Sequence, residues 1–486
     1  MPESYADCLR ALNSLQSNSD AIKAWIDTRR IDLEATLAKG MVTYVNRLNI
    51  DLSKMSIIHV AGTKGKGSTC AFTESIIRKN GYKTGLFTSP HLVSVRERIR
   101  INGEPVSQED FARYFWKVWH ELDASKTEEQ PNMPGYFSFL TLLALKVFSE
   151  EQLDCVVLEV GIGGRTDATN VVPFPLVTGV TSLGFDHQNV LGNTLLEIAF
   201  EKSGIFKRGV PAVTSPQPED ALETLKKRAV ELIREEPFKQ LHVIDSSPLL
   251  EEIDLGLPGK HQKYNASMAL ALSKIWMKRT KGEDLQWREF QLERGDLTPQ
   301  TLEGLATVDW PGRGQKIRVS EDIMLYMDGA HTGESMQACV EWFFDVEVKD
   351  KEGINVLVFN CGNTRSPTTL LQPIIDYHLT HPHQKRFDHG IVSTNESCKQ
   401  HVLFKLYNPN QASWYDTIAE EWRRVKGDLL PEPTVTPDIP TTVARLRDIS
   451  EKNPGKKVRV LVAGSLYLVG GFLEVVKNHC PDDLSQ

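Results

Sequence analysis

No run of about 18 uninterrupted apolar residues occurs in the chain, so a membrane-spanning helix is not expected. Cysteine is sparse: Cys8, Cys70, Cys155, Cys339, Cys361, Cys398 and Cys480 are scattered with no CxxC pair. That usage suits a reducing compartment and argues against a disulfide framework or a zinc site. An excess of positive charge is missing too. The net charge of −8 gives no encouragement to binding nucleic acid or an anionic membrane. Internal repeats and low-complexity tracts are lacking, and the N-terminal stretch reads neither as a signal peptide nor as an Arg-rich transit peptide. What is there is ordinary for a globular protein, 40% hydrophobic and 25% charged, but 486 residues exceed one core. Two or three domains are expected.

The stretch Ile57 to Thr69, IIHVAGTKGKGST, organises the rest. A β-branched apolar run enters a loop holding Gly62, Gly65 and Gly67, with Lys64 and Lys66 between them, and a helix-compatible segment follows. Glycines let backbone N–H groups converge on an anion, and a helix N-terminus adds its positive end. Lys66 is placed to reach phosphates, and the Ser68 or Thr69 hydroxyl to meet a magnesium ion. The spacing departs from the strict GxxxxGK[ST] pattern, and a plain glycine-rich turn is the competing reading.

Further strand ends carry polar groups. Thr84–Thr88 runs into Ser89-Pro90, and Pro90 ends ladder pairing, so Ser89 falls in a loop at a strand's carboxyl end, where ligands of parallel sheets bind. VSVRERIRIN alternates arginines with apolar residues as a half-buried strand does; Arg96 either belongs to that surface or recognises a substrate carboxylate. The aromatic run Phe111–Leu122 reads as core. DCVVLEV is a buried strand whose Glu159 either pairs with Arg165 or ligates a metal. His187, after the strand Leu176–Thr181, is either a satisfied loop histidine or a ligand, and magnesium's preference for oxygen counts against the latter. Lys202 follows a helix at Leu195–Glu201 and is otherwise a surface lysine beside Glu201. His261, Gln262 and Asn265 precede a helix; Asn265 either caps it or hydrogen-bonds a base or phosphate.

After about residue 295 the strand–helix pattern restarts. Strands are expected at Ile323–Met327, Val356–Phe359, Gly390–Ser393 and Val458–Ala463, giving a second α/β domain. The segment 376–440, with His378, His381, His383 and His389, reads as exposed loop.

The ordered set GTKGKGS, TSPHL, RERIRING, LEVGIGGRTDATN, GFDHQNVLG, EKSGIFK, PGKHQKYNA, WPGR, DGAHT and GSLY resembles the folylpolyglutamate synthases of the Mur ligase family. DGAHT, and TSPHL running straight into VSVRERIRING, look like its eukaryotic branch. The resemblance spans roughly residues 20 to 475. It implies an α/β fold: an N-terminal P-loop ATPase domain with a mainly parallel sheet (1–298), a hinge at 299–313, and a smaller Rossmann-like domain (314–486) that binds glutamate.

The activity implied is ATP-dependent addition of L-glutamate to the γ-carboxyl of a reduced folate, giving ADP and phosphate. By this resemblance Thr63, Gly65, Lys66, Gly67 and Ser68 hold ATP, together with Asn265, Arg313 and Asp328. Ser89, Glu159 and His187 match magnesium ligands, two ions being expected, and a monovalent cation such as K+ also fits the family. Lys202 matches a lysine carbamylated in bacterial members. Lys66, Glu159, His187 and Lys202 make the implied catalytic set; Arg96, His331 and Ser465 would bind substrate. Closure about the hinge is expected, since an acyl phosphate must be kept from water. Dihydrofolate synthase, which joins glutamate to dihydropteroate, is the rival within the fold. Partners are expected to be small molecules only, the chain a monomer, and the compartment the cytoplasm, with a longer mitochondrial form from an upstream start.

Overall fold

The computed structural model describes residues 4–16, 33–128, 130–235, 238, 240–283, 285, 290–346, 352–363, 365–395 and 411–479. They form two compact units. The first holds 1–256 and 262–309, and the second 257–261 and 310–486.

In the first unit the strands, in chain order, are β1 (Ile57–Ala61), β2 (Thr84–Phe87), β3 (Ile99–Ile101), β4 (Glu104–Pro105), β5 (Cys155–Glu159), β6 (Val177–Val180), β7 (Ala212–Thr214) and β8 (His242–Val243). They make one sheet in the order β4-β3-β2-β5-β1-β6-β7-β8. Pairing is parallel from β2 across to β8, and β3 and β4 add an antiparallel edge. β1 and β5 are buried along their whole length, which explains their unbroken apolar character. Their register pairs Val60 with Glu159, so the end of β5 lies beside the start of the glycine-rich loop.

The helices Gln108–Ala124 and Tyr136–Glu150 build the core on Ile57, Phe87, Val156 and Leu158. Phe111, Tyr114 and Phe115 are buried there, and Trp116 and Trp119 pack against them, so the aromatic run is core as expected. Burying each such ring contributes roughly 1.5–3 kcal/mol. A second cluster joins Ala61, Val160 and Val180 to Ala199, Ile205, Ala221 and Leu225, which brings the segment carrying Lys202 up to the sheet.

Some local expectations change. VSVRERIRIN is not one strand: Val95–Arg98 is a 3-10 turn and only Ile99–Ile101 is extended. The cause is Glu97, whose carboxylate accepts from the amides of Leu92 at 2.8 Å and Ser94 at 2.8 Å and curls the chain. The expected hinge begins with a helix, Pro299–Ala306, packed on the helix Lys66–Lys79, with Ser75 Oγ donating to the Gly304 carbonyl at 2.8 Å.

In the second unit β9 (Gln315–Arg318), β10 (Ile323–Met327), β11 (Ile354–Phe359), β12 (His389–Ser393), β13 (Pro433–Thr436) and β14 (Val458–Ala463) form a sheet in the order β13-β12-β11-β14-β10-β9. Only β9 runs antiparallel. From β10 through β11 and β12 to β13 the chain steps in one direction, and the helices Gly333–Val346, Pro367–Thr380 and Gln411–Val425 pack successively together. It then reverses to insert β14, and the helices Ile439–Glu451 and Leu466–His479 pack with each other. Right-handed crossovers require this division between the two faces.

The segment 376–440 is therefore not an exposed loop. His378 closes the helix Pro367–Thr380 and is buried against Phe344, Tyr377 and Phe387, while His389 opens β12. Residues 396–410 lie outside the described residues.

Candidate active site

The glycine-rich loop follows β1, the Ser89 loop β2, Glu159 ends β5, and the segment 181–187 follows β6. These strands are neighbours and parallel, so all four polar stretches gather at one carboxyl edge of the first unit's sheet.

Two glycines of the loop are fixed by close approach. Gly62 has φ +149°, and a Cβ there would sit 1.8 Å from Thr181 Oγ1. Gly65, at φ +84°, is the N-cap of the helix Lys66–Lys79, and its Cβ would sit 2.1 Å from Asn265 Oδ1. Both positions need a residue without a side chain. Thr63 is occupied structurally: its amide donates to the Ser182 carbonyl at 2.9 Å and its hydroxyl to Gly184 at 3.2 Å. The Lys64 amide shares the Ser182 carbonyl at 3.0 Å. The amides at the start of the following helix have no intrahelical acceptor and are the ones left for an anion.

Lys66 Nζ turns back to donate to the Gly62 carbonyl at 3.0 Å. Lys202 Nζ donates to the same oxygen at 2.7 Å. Lys202 is not the surface residue its Glu201 neighbour suggested; it is 4% exposed. Burial, then the Lys66 ammonium, push its amine well below the ordinary lysine range, with Asp186 and Asp167 pulling the other way. Arg165 grips Glu201, with Nη2 at 2.7 Å from Oε1. Glu159, 3% exposed, accepts from the Ser89 amide at 2.9 Å. An acid and a hydroxyl residue held together are oxygen donors of the kind a hard cation takes.

His187 is exposed, with its backbone left-handed at φ +51° and its amide donating to Asp186 Oδ1 at 3.0 Å. Among the described residues, no three His, Cys, Asp or Glu side chains come together as a metal would need. Arg96 is half-buried, donates to the Val106 carbonyl at 2.9 Å and covers the Tyr5 ring. Asn265 lies inside the helix His261–Thr280 rather than capping it; its Nδ2 donates to Gln262 Oε1 at 2.8 Å, and its oxygen faces Gly65.

Sequence reasoning missed Asp167 and His59. Asp167 accepts from Thr169 Oγ1 at 2.6 Å and from the Ile162 amide at 3.0 Å, closing the turn that follows Glu159. Burial raises its carboxyl above the ordinary range against those hydrogen bonds. His59 Nε2 reaches the same Thr169 hydroxyl at 2.9 Å, and burial pushes its imidazole to about 3, so it is neutral. Only the DATN context pointed to Asp167, and nothing in the sequence marks His59 beyond its place in an apolar strand.

In the second unit the loops after β10 and β14, adjacent parallel strands, carry His331 and Ser465. The Gly464 amide donates to the Ala330 carbonyl at 2.9 Å and ties them together. His331 Nδ1 donates to the Gly329 carbonyl at 2.7 Å, and Ser465 Oγ accepts from the Tyr467 amide at 3.2 Å. Asp328 accepts from the Gly314 amide at 2.9 Å, and the Gly329 amide donates to Gly312 at 2.9 Å, so the WPGR turn is locked to the DGAHT loop. Burial raises the Asp328 carboxyl, opposed by Arg313 and His261. His261 is the residue that sequence reasoning left unassigned here.

No family model matches the chain. A protein of Arabidopsis thaliana named folylpolyglutamate synthase is 37% identical to it, over 98% of this chain and 89% of its own. This chain belongs to the folylpolyglutamate synthase family. A Homo sapiens folylpolyglutamate synthase, named as mitochondrial, is 43% identical over 80% of this chain and 68% of its own. In three dimensions this chain is similar to Mycobacterium tuberculosis folylpolyglutamate synthase complexed with ADP. The TM-score is 0.69 at 23% identity, covering 94% of this chain and 97% of that one. This likeness establishes that the two-domain α/β fold is the family's.

Proposed function

We propose that this chain is an ATP-dependent ligase adding L-glutamate to the γ-carboxyl of tetrahydrofolate and its polyglutamates, by way of an acyl phosphate, with ADP and phosphate released. The observation that carries the reading is the convergence of Lys66 and Lys202 on one loop carbonyl, beside a helix N-terminus and the Ser89–Glu159 pair. A carboxylate is a poor acyl donor, and phosphorylation gives it a leaving group. Phosphoryl transfer asks a protein mainly for positioning and for charge stabilisation.

In this proposal the amides of Gly65, Lys66, Gly67 and Ser68 cradle the phosphates, and Lys66 leaves the Gly62 carbonyl to neutralise charge as the folate carboxylate attacks. Asn265 supports the loop from below. Arg313 and Asp328 hold the nucleotide on the second unit. Ser89 and Glu159, with His187, would hold magnesium, which supplies further neutralisation of phosphate charge. Lys202 is the proposed carbamylation site: an unprotonated amine is the form that attacks CO2, releasing a proton, and its depressed pKa supports that form. Arg96 is assigned to a substrate carboxylate. His331 and Ser465, at adjacent strand ends, are assigned to glutamate, whose deprotonated amine attacks the acyl phosphate and expels phosphate.

We place the enzyme in the cytoplasm as a monomer, with a mitochondrial form supported by the name of the human relative; among the described residues no helix is long and apolar enough to cross a membrane. The test is a labelled-glutamate assay with ATP and either tetrahydrofolate or dihydropteroate as acceptor. The proposal expects label in tetrahydrofolate products with ADP release that needs both substrates. Label only on dihydropteroate would reassign the chain to dihydrofolate synthesis.

A further inference from the structure

The glycine-rich loop does not hold its own shape. Its first amides, those of Thr63 and Lys64, both end on the Ser182 carbonyl, at 2.9 and 3.0 Å, and the Thr63 hydroxyl ends on Gly184. The direction of the remaining loop amides is therefore set by the segment 181–184, which follows β6 and has no regular structure of its own. That segment is braced in turn by a side chain from the turn that follows β7. Gln217 Oε1 accepts from the Leu183 amide at 2.8 Å. Its Nε2 donates to the Thr181 carbonyl at 3.0 Å and to Thr214 Oγ1 at 3.0 Å. Thr181 also packs under Gly62 and donates its amide to the Ala61 carbonyl at 2.8 Å.

We infer that Gln217 is a positioning residue for nucleotide binding, acting through Thr181–Gly184 on the phosphate-binding loop. The inference rests on the loop binding phosphate as proposed above. A carboxamide suits the position because it is an acceptor and a double donor at one reach. Glutamate could accept from Leu183 but would turn an acceptor oxygen toward the Thr181 carbonyl. Leucine fills the volume and makes none of the bonds. The half-buried Gln217 follows β7, and the end of β6 lies between β7 and the loop after β1, so its effect reaches the loop through the 181–184 backbone.

The test compares wild type, Gln217→Leu and Gln217→Glu by titration with ADP, by hydrogen exchange at individual amides, and by KM for glutamate. Gln217→Leu is expected to weaken ADP binding about tenfold, the loss of one or two net hydrogen bonds. Exchange at the Thr63 and Lys64 amides should rise while that of the β1 amides stays put, and KM for glutamate should stay within about twofold. Gln217→Glu, which keeps the Leu183 acceptor, should fall between and carries the test if the leucine variant does not fold. A folded variant that binds ADP as wild type does, with unchanged exchange at Thr63 and Lys64, overturns the role of Gln217. Wild-type protein that binds no ADP overturns the phosphate-loop reading itself, and this inference with it.

Discussion

Lys66 and Lys202 donate to the same oxygen, the Gly62 carbonyl, at 3.0 and 2.7 Å. Two ammonium groups so placed repel one another. The strain falls most on the buried member, whose amine is driven toward the neutral form by desolvation and by Lys66. In the reaction proposed above, Lys66 would be the mobile charge and Lys202 the fixed, reactive amine.

Replacing Lys66 tests the first half of that division. Lys66→Ala leaves the Gly62 carbonyl partnered by Lys202, so the fold should stand with little change in Tm. Turnover should fall by at least about a hundredfold, the scale lost with a group that stabilises transition-state charge. Near-normal kcat in the purified variant would remove the loop from phosphoryl transfer.

Lys202→Met tests the second half, and the sign follows from linkage. An amine whose folded pKa lies below its unfolded value near 10.4 binds fewer protons when folded, so wild-type stability rises with pH through that window. At neutral pH the buried amine is a burden, and methionine relieves it while Lys66 still satisfies Gly62. The variant should unfold at a higher temperature at pH 7, gain less stability than wild type as pH rises toward the unfolded value, and turn over no substrate. A variant with lower Tm and wild-type activity would contradict the assignment.

How much of this was legible from the chain differs by residue. β10 and β14 run over the residues their apolar stretches indicated, and β1 and β5 are plain because central parallel strands are buried on both faces. β9 and β13 went unread because they are short edge strands containing polar residues or proline, with little burial to pattern them. The arginine alternation near Arg96 imitated a strand because Glu97's reach to three upstream amides is a local hydrogen-bond choice that periodicity does not register. Lys66, Glu159 and Lys202 stood out as polar residues at strand or helix ends. Asp167, His59 and Gln217 did not, because their significance lies entirely in partners distant in sequence.

His378 shows the same blindness and gives a prediction away from the site. Among the described residues neither of its ring nitrogens has a hydrogen-bond partner, and burial, with Arg386 and His381 nearby, pushes it down to about 4. The folded state therefore resists a proton that the unfolded chain accepts near 6.5, and stability drops as pH falls from about 6.5 to 4. His378→Leu should remove up to one proton's slope, about 1.4 kcal/mol per pH unit, from denaturant unfolding in that range. An unchanged slope would place the imidazole in contact with solvent.

The most direct test of the ligase chemistry follows oxygen. Tetrahydrofolate carrying 18O in its γ-carboxyl is turned over with ATP and glutamate, and the released phosphate is analysed by mass spectrometry. An acyl phosphate formed by carboxylate attack must leave one substrate oxygen in the phosphate for each amide made. One 18O per phosphate is the predicted result; phosphate free of label, alongside normal product formation, would contradict it.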